Sequence, residues 1–428
     1  MGGGRRRQRR FGPGRCPLRP AACLVRADLL PQRVQQAAAS IQSGPRLHPR
    51  RAGLGDERTH RLVAVRVPAR ETRRPQILMP RRSPVAWRDP MKESVLLGVA
   101  LLAGLFSVCL PESAVAADRL NVVATLPSLG SIARAVGGER VSVAVLSRPG
   151  QDPHFVDPKP SFIVKVRDAD LFILNGLELE VGWVPLLLEG SRNGKIQAGG
   201  EGYFDASAAI SPIDLPKGQL DRSLGDVHPF GNPHYTLDPL ALRAVAEALA
   251  KSYTRLDPSG AEVYAAQAKA YQKRLDIALF GAELVDEVGG AKLAREAEAG
   301  RLDVFLTDNG LGGKLGGWLK KMQPLQAKPV VAFHTNMNYF WRRFGIVLLA
   351  TVEPKPGIPP SAGHVADVVL MMRQRKIGAV VTQPFYDDSA VKLIAEKSGA
   401  KVVKVETEGD DALAIIDAAV LHVADALR

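Results

Sequence analysis

Three histidines, His154, His234 and His334, are the residues of this 428-residue chain best placed to do chemistry. The first lies in Pro149-Gly150-Gln151-Asp152-Pro153-His154. The second lies in Gly225-Asp226-Val227-His228-Pro229-Phe230-Gly231-Asn232-Pro233-His234. Proline and glycine at these spacings interrupt helix and strand alike, so both segments read as stiff loops. His334 follows the apolar stretch 330–333. A neutral imidazole held on such a loop suits Zn²⁺, which takes nitrogen ligands at about 2.0–2.1 Å in tetrahedral sites. A carboxylate would complete the set, and Thr407-Glu408-Gly409-Asp410-Asp411 offers one. Spacing alone leaves the alternative open, since a surface turn with an exposed imidazole has the same sequence. There is no HExxH pair and no clustered triplet. No glutamate adjoins any of the three histidines, which counts against a secreted zinc hydrolase with a general base beside its metal.

The elements that must position these residues read as α/β. The segment 120–126 is a buried-type strand, 129–136 a helix closed by Gly137-Gly138, and 141–146 a second strand. A helix over 161–167 leads to a strand over 171–175. Strand, helix, strand, helix is the pattern of a parallel sheet, whose functional loops gather at the carboxyl ends of the strands. Asp238 before Pro239 reads as the cap of a helix over 239–253. Residues 258–288 read as one long helix with Tyr264, Ala268, Tyr271, Leu275 and Leu279 on one face. At 1.5 Å per residue it spans about 45 Å, long enough to cross between two lobes. A second half follows, with strands expected over 302–307, 330–333, 347–351, 379–382 and 402–405. Helices are expected over 336–344, 364–374 and 411–427. The glycine-rich 310–317 lacks the Lys-Ser/Thr ending of a phosphate loop. Asp387-Asp388 reads as a helix N-cap region.

Charge divides the chain sharply. Residues 1–90 carry 21 arginines, no lysine and five acids, a net of +16, while the rest carries 36 basic and 39 acidic side chains, a net of −3. The overall charge of +13 therefore gives no basis for a nucleic-acid partner of the remainder. The first ninety residues show no sustained apolar period and read as a disordered basic arm or as sequence upstream of a start at Met91. From Met91 a positive beginning, an apolar run over 95–110 and Ala114-Val115-Ala116 form a secretory signal ending at residue 116. All three cysteines (Cys16, Cys23 and Cys109) precede that point, so the exported chain has no disulfide and no thiolate metal site. Phe106-Ser107-Val108 makes a poor lipidation box before Cys109, which argues against surface display as an adhesin. The expected product is a periplasmic monomer.

The exported part resembles the periplasmic metal-binding proteins of zinc and manganese ABC importers, the cluster A-I or ZnuA/TroA-like family. Asp152-Pro153-His154 with Pro160-Ser161 carries the resemblance. So do Gly231-Asn232-Pro233-His234-Tyr235 with Leu237-Asp238-Pro239, and Tyr339-Phe340 with Phe344-Gly345. Glu353-Pro354-Lys355-Pro356-Gly357-Ile358-Pro359-Pro360-Ser361 is equally typical. The resemblance implies two parallel-sheet α/β lobes joined by a single long helix, with the metal at the lobe interface. The lobes would span 118–257 and 289–428, with 258–288 between them. It places His154, His234 and His334 on the family's ligand positions and suggests Asp411 as the fourth, with Asp410 or a water as alternatives. Manganese members usually carry a glutamate where this chain has His334, and three nitrogens favour Zn²⁺ over the harder Mn²⁺. The implied role is a binding protein, not an enzyme, that captures Zn²⁺ and delivers it to an inner-membrane permease. A manganese or iron carrier is the alternative, and a metallochaperone a further partner that the resemblance admits. His228 reads as a loop residue beside the site, His364 as a cap or packing residue and His422 as surface. The stretch 205–226 has no histidine, so no zinc-loading loop is expected.

Overall fold

The computed structural model describes residues 119–216 and 228–428. The basic arm, the signal segment, the three cysteines and Gly225-Asp226-Val227 lie outside the described residues. Two four-stranded parallel sheets, ordered β2-β1-β3-β4 and β6-β5-β7-β8, form the two lobes. The first contains β1 (Leu120–Ala124), β2 (Val141–Val145), β3 (Leu171–Leu174) and β4 (Tyr203–Asp205), wrapped by α1 (Pro127–Gly137), α2 (Pro160–Arg167), α3 (Val184–Ser191) and α4 (Pro239–Leu256). Between the sheets run α5 (Ala261–Phe280), α6 (Ala282–Val288), α7 (Gly290–Glu298), α8 (Leu302–Asp308) and α9 (Gly317–Met322). The second sheet contains β5 (Pro329–Ala332), β6 (Val347–Thr351), β7 (Ala379–Thr382) and β8 (Lys401–Lys404). Its helices are α10 (Asn338–Phe344), α11 (Ala362–Arg375), α12 (Ser389–Ser398) and α13 (Ala412–Leu427). Among the described residues no helix is long and apolar enough to cross a membrane.

Strand alternation sends side chains to opposite faces. Val122 and Ala124 of β1, like Val330 and Ala332 of β5, enter a central core shared by both lobes. Val123 and Val331 enter two outer cores, built on Phe172, Trp183 and Leu187 in one lobe and on Val380, Met372 and Ile394 in the other. Helix α5 unites the central core by burying Tyr264, Ala268, Tyr271, Leu275 and Leu279, the stripe legible in the sequence. It packs on α1 and α4 of the first lobe and on α9 beyond.

The single helix expected over 258–288 is interrupted. It begins with a tight turn over Pro258–Gly260, and α5 stops at Phe280 because Gly281 adopts φ +90°, a conformation that favours glycine. A Cβ there would meet the Cα of Gly316 at 2.7 Å, so the chain crossing also requires glycine. The twenty residues of α5 span about 30 Å rather than 45 Å. The strand expected over 302–307 is helix α8. Leu302 and Leu306 are buried four residues apart while Val304 is 61% exposed, a helical spacing that a short apolar run conceals.

Polar contacts tie the lobes directly. Asp238 caps α4 by accepting from Leu240 N at 3.0 Å, and Arg343 of α10 grips both its oxygens, Nε to Oδ1 at 2.8 Å and Nη2 to Oδ2 at 2.9 Å. Tyr339 donates its hydroxyl to Asn232 O at 2.8 Å, and Asn232 donates Nδ2 to Thr335 O at 3.0 Å. On the other side, Ser128 N donates to Glu408 Oε2 at 3.1 Å.

Candidate metal centre

One local device presents two of the histidines. In Asp152-Pro153-His154 the carboxylate oxygen Oδ1 accepts from the His154 backbone N at 3.0 Å. In Asn232-Pro233-His234 the amide oxygen Oδ1 accepts from the His234 backbone N at 2.9 Å. An Asx side chain closing on the backbone two residues ahead forms a tight turn, and the proline between restricts it further. Trp183 Nε1 anchors the first loop by donating to Pro153 O at 2.9 Å. The second is anchored by Asn175, which donates Nδ2 to Pro233 O at 2.9 Å and accepts from the buried Tyr235 hydroxyl at 2.7 Å. Asn175 is set in turn by Glu180, whose Oε1 accepts from Asn175 N and from Thr125 Oγ1, both at 2.7 Å. Burial pushes the Glu180 carboxyl up to about 7 against these hydrogen bonds.

Carboxylates hold two of the rings. Asp152 Oδ1 lies 2.8 Å from His154 Nδ1, and Glu353 Oε2 lies 2.9 Å from His334 Nδ1. Each carboxylate accepts a hydrogen bond from Nδ1–H, which leaves Nε2 with its lone pair available to a metal, the common arrangement of metal-binding imidazoles. Burial would raise the Asp152 carboxyl, but the hydrogen bonds and charge of His154 outweigh it and hold the group below the ordinary carboxylate range. Glu353 also accepts from Gly357 N at 3.3 Å, which gives the proline-rich segment after β6 a physical task.

The imidazoles converge where the carboxyl ends of the two sheets meet. The ring centre of His234 lies 5.1 Å from that of His154 and 5.4 Å from that of His334, and the latter two are 6.3 Å apart. Nε2 of His234 is buried with no hydrogen-bond partner among the described residues, an orphan that a coordinated ion would satisfy. Burial, then the neighbouring histidines, holds the His234 ring well below its ordinary pKa and so neutral. Phe385 and Tyr386 wall the inner side, with Tyr386 stacked on Phe333 at 4.3 Å between ring centres. Burial and the charges of Asp152 and Glu353 push the tyrosine pKa up, so it stays protonated.

The placement of two other residues corrects the sequence reading. Asp411 is the N-cap of α13, with Oδ1 accepting from Leu413 N at 3.0 Å and Ala414 N at 3.3 Å, and it is exposed. Its carboxylate serves the helix terminus and not the histidines. Asp410, the alternative, is also exposed, 3.9 Å from Arg134. The carboxylate of that loop which reaches the small cavity beside His154 and His234 is Glu408, and there it accepts from Ser128 N at the start of α1. Burial raises its pKa despite that bond. His228, expected beside the site, belongs to the cluster: one ligand atom from each of His154, His228 and His234 lies within 4.8 Å of the others. The repeated Asx-Pro-His was the available sequence signal for the turns; nothing local to Glu353 or His228 announced their contacts. His364 packs as expected, its Nε2 3.0 Å from Thr351 O.

The family model for the zinc-uptake complex component A, periplasmic (ZnuA), matches residues 122–278 and 315–416. The chain belongs to the ZnuA family. Its relatives include the manganese ABC transporter substrate-binding lipoprotein PsaA of Streptococcus anginosus, 23% identical over 294 residues, 68% of this chain and 81% of that one. The iron-binding protein YfeA of Yersinia pestis is 23% identical over 288 residues, covering 67% and 76% of the two chains. The zinc-binding lipoprotein AdcA of Streptococcus pneumoniae serotype 4 is 22% identical over 317 residues, 73% of this chain and 54% of that one. A crystal structure of ZnuA superposes with a TM-score of 0.55 at 20% identity, covering 73% of this chain and all of that one. This ZnuA-family chain is therefore a substrate-binding component of a metal ABC importer and not an enzyme. Metal is its cargo and a membrane permease its partner.

Proposed function

We propose that the protein captures Zn²⁺ in the periplasm through His154, His234 and His334 and hands it to the permease. The observation that carries this reading is the buried, partnerless Nε2 of His234 between two imidazoles whose Nδ1 atoms are engaged by carboxylates. All three candidate donors are nitrogens, a set that suits Zn²⁺ better than Mn²⁺, whose preference is for oxygen. The relatives named for manganese, iron and zinc are about equally distant, 23%, 23% and 22% identical over the aligned residues, so the choice rests on His334, which stands where a harder metal would favour a carboxylate. Metal analysis of the purified protein, followed by competition between Zn²⁺ and Mn²⁺, tests the reading. Zinc bound in one equivalent and not displaced by excess manganese is expected; preferential retention of manganese would refute it.

A further inference from the structure

We propose that His228 is the fourth metal ligand, so that the first lobe alone offers three converging imidazoles and His334 of the second lobe closes a four-nitrogen site. This rests on the reading of the cluster as a metal site and assigns its remaining position. His228 Nε2 lies 3.1 Å from His154 Nε2. Two nitrogens sharing a tetrahedral zinc with bonds of about 2.05 Å stand about 3.3 Å apart, so the pair already sits near the edge of a coordination tetrahedron. The rings of His154 and His228 are stacked at 5.3 Å between centres, and His228 stands edge-on to His234 at 6.0 Å. The backbone of Leu177 lies beside the His228 ring. Leu177 adopts φ +54° between Gly176 and Glu178, also at positive φ, a rare conformation for leucine. The chain thus bends unusually just where its backbone meets His228.

The grouping of donors divides the labour between the lobes. His154, His228 and His234 all come from the first lobe, and they are the donors within 4.8 Å of one another. His334 faces them from the end of β5. Four neutral imidazoles leave the charge of a divalent ion uncompensated among its ligands, and the side-chain carboxyls of Asp152 and Glu353 stand behind two of the rings. Such a donor set disfavours manganese more strongly than three histidines and a carboxylate would.

The test uses Co²⁺ as a spectroscopic stand-in for zinc, with the full protein and its His228→Ala, His228→Asn, His334→Ala and His364→Ala variants. The wild type should show the intense visible bands of four-coordinate cobalt. Both His228 variants should change those bands and weaken Zn²⁺ binding by more than about 100-fold, beyond the 10–100-fold typical of lost outer-shell partners. His334→Ala should still bind through the three remaining nitrogens, with faster release, and His364→Ala should match the wild type. X-ray absorption of the zinc complex should count four nitrogens in the wild type and three in His228→Ala. A His228→Ala protein with the wild-type spectrum, affinity and nitrogen count overturns the proposal while leaving the three-histidine reading standing. A wild type that binds neither ion overturns both.

Discussion

Replacing Glu353 by glutamine separates the carboxylate's charge from its shape. Glu353 Oε2 accepts from His334 Nδ1 at 2.9 Å with both side chains at most 10% exposed, so little solvent screens the contact. The amide keeps the volume and can still accept a hydrogen bond. It loses the charge-assisted part of that bond, which is roughly half its strength, and it can rotate to present a donor instead. A hydrogen bond to a charged group contributes about 1.5–3 kcal/mol against about 1 kcal/mol for a neutral one. The difference of about 0.5–2 kcal/mol corresponds to an affinity loss of about 2–30-fold, whose upper part overlaps the 10–100-fold range for outer-shell partners of metal-bound histidines. Competition against a zinc-chelating dye reads this directly. Thermal unfolding reads it again: at free zinc one hundred times the wild-type Kd, stabilisation of about 2.7 kcal/mol should fall to about 1.4 kcal/mol for a tenfold weaker variant. A folded Glu353→Gln protein with zinc affinity equal to that of the wild type would refute the idea that this carboxylate tunes His334.

Asp411→Ala should cost about 1 kcal/mol of stability through loss of the α13 cap, measured by urea unfolding, and leave zinc affinity unchanged; a large loss of affinity would restore Asp411 as a ligand. Arg343→Ala should destabilise the protein by about 3–5 kcal/mol because it leaves the buried Asp238 carboxylate unpaired, and a loss below about 1 kcal/mol would show that the clamp between the lobes is dispensable. Glu180 has a folded pKa raised to about 7, so its stabilising contribution is complete below the ordinary 4.5 and is lost as pH rises through 7. The stability advantage of the metal-free wild type over Glu180→Gln should therefore shrink by about 2–3 kcal/mol between pH 5 and pH 8, and a constant difference across that range would count against the shift.

The fold was legible wherever local pattern and tertiary packing agree. The buried stripe of α5, the Asp238 cap and the proline-bounded loops all follow from spacing of three, four or two residues, and their positions in the structure match. Leu302 and Leu306 failed because seven residues give too few turns to separate helix from strand. Gly281 failed because its cause lies 35 residues away, where Gly316 crosses the chain. The site divides in the same way. His154 and His234 announced themselves through turns closed within three residues. Glu353, Leu177 and His228 act through contacts set by tertiary placement, and an aspartate with a good capping position, Asp411, resembled a ligand in the sequence.

The two lobes share one apolar core, and α5 contributes a full face to it. The buried Asp238–Arg343 pair and the Tyr339–Asn232 bond fasten one side of the interface, and the Ser128–Glu408 bond fastens another. A wide hinge opening would expose that core and strand a buried carboxylate, a cost far above that of moving a loop. Phe155, beside His154, is 69% exposed and Phe230, two residues after His228, is 59% exposed, so both histidine-bearing loops carry an aromatic side chain outward. A permease surface that drew on these two rings would pull at the first lobe's ligands and leave the His334–Glu353 pair, fixed to the second sheet, in place.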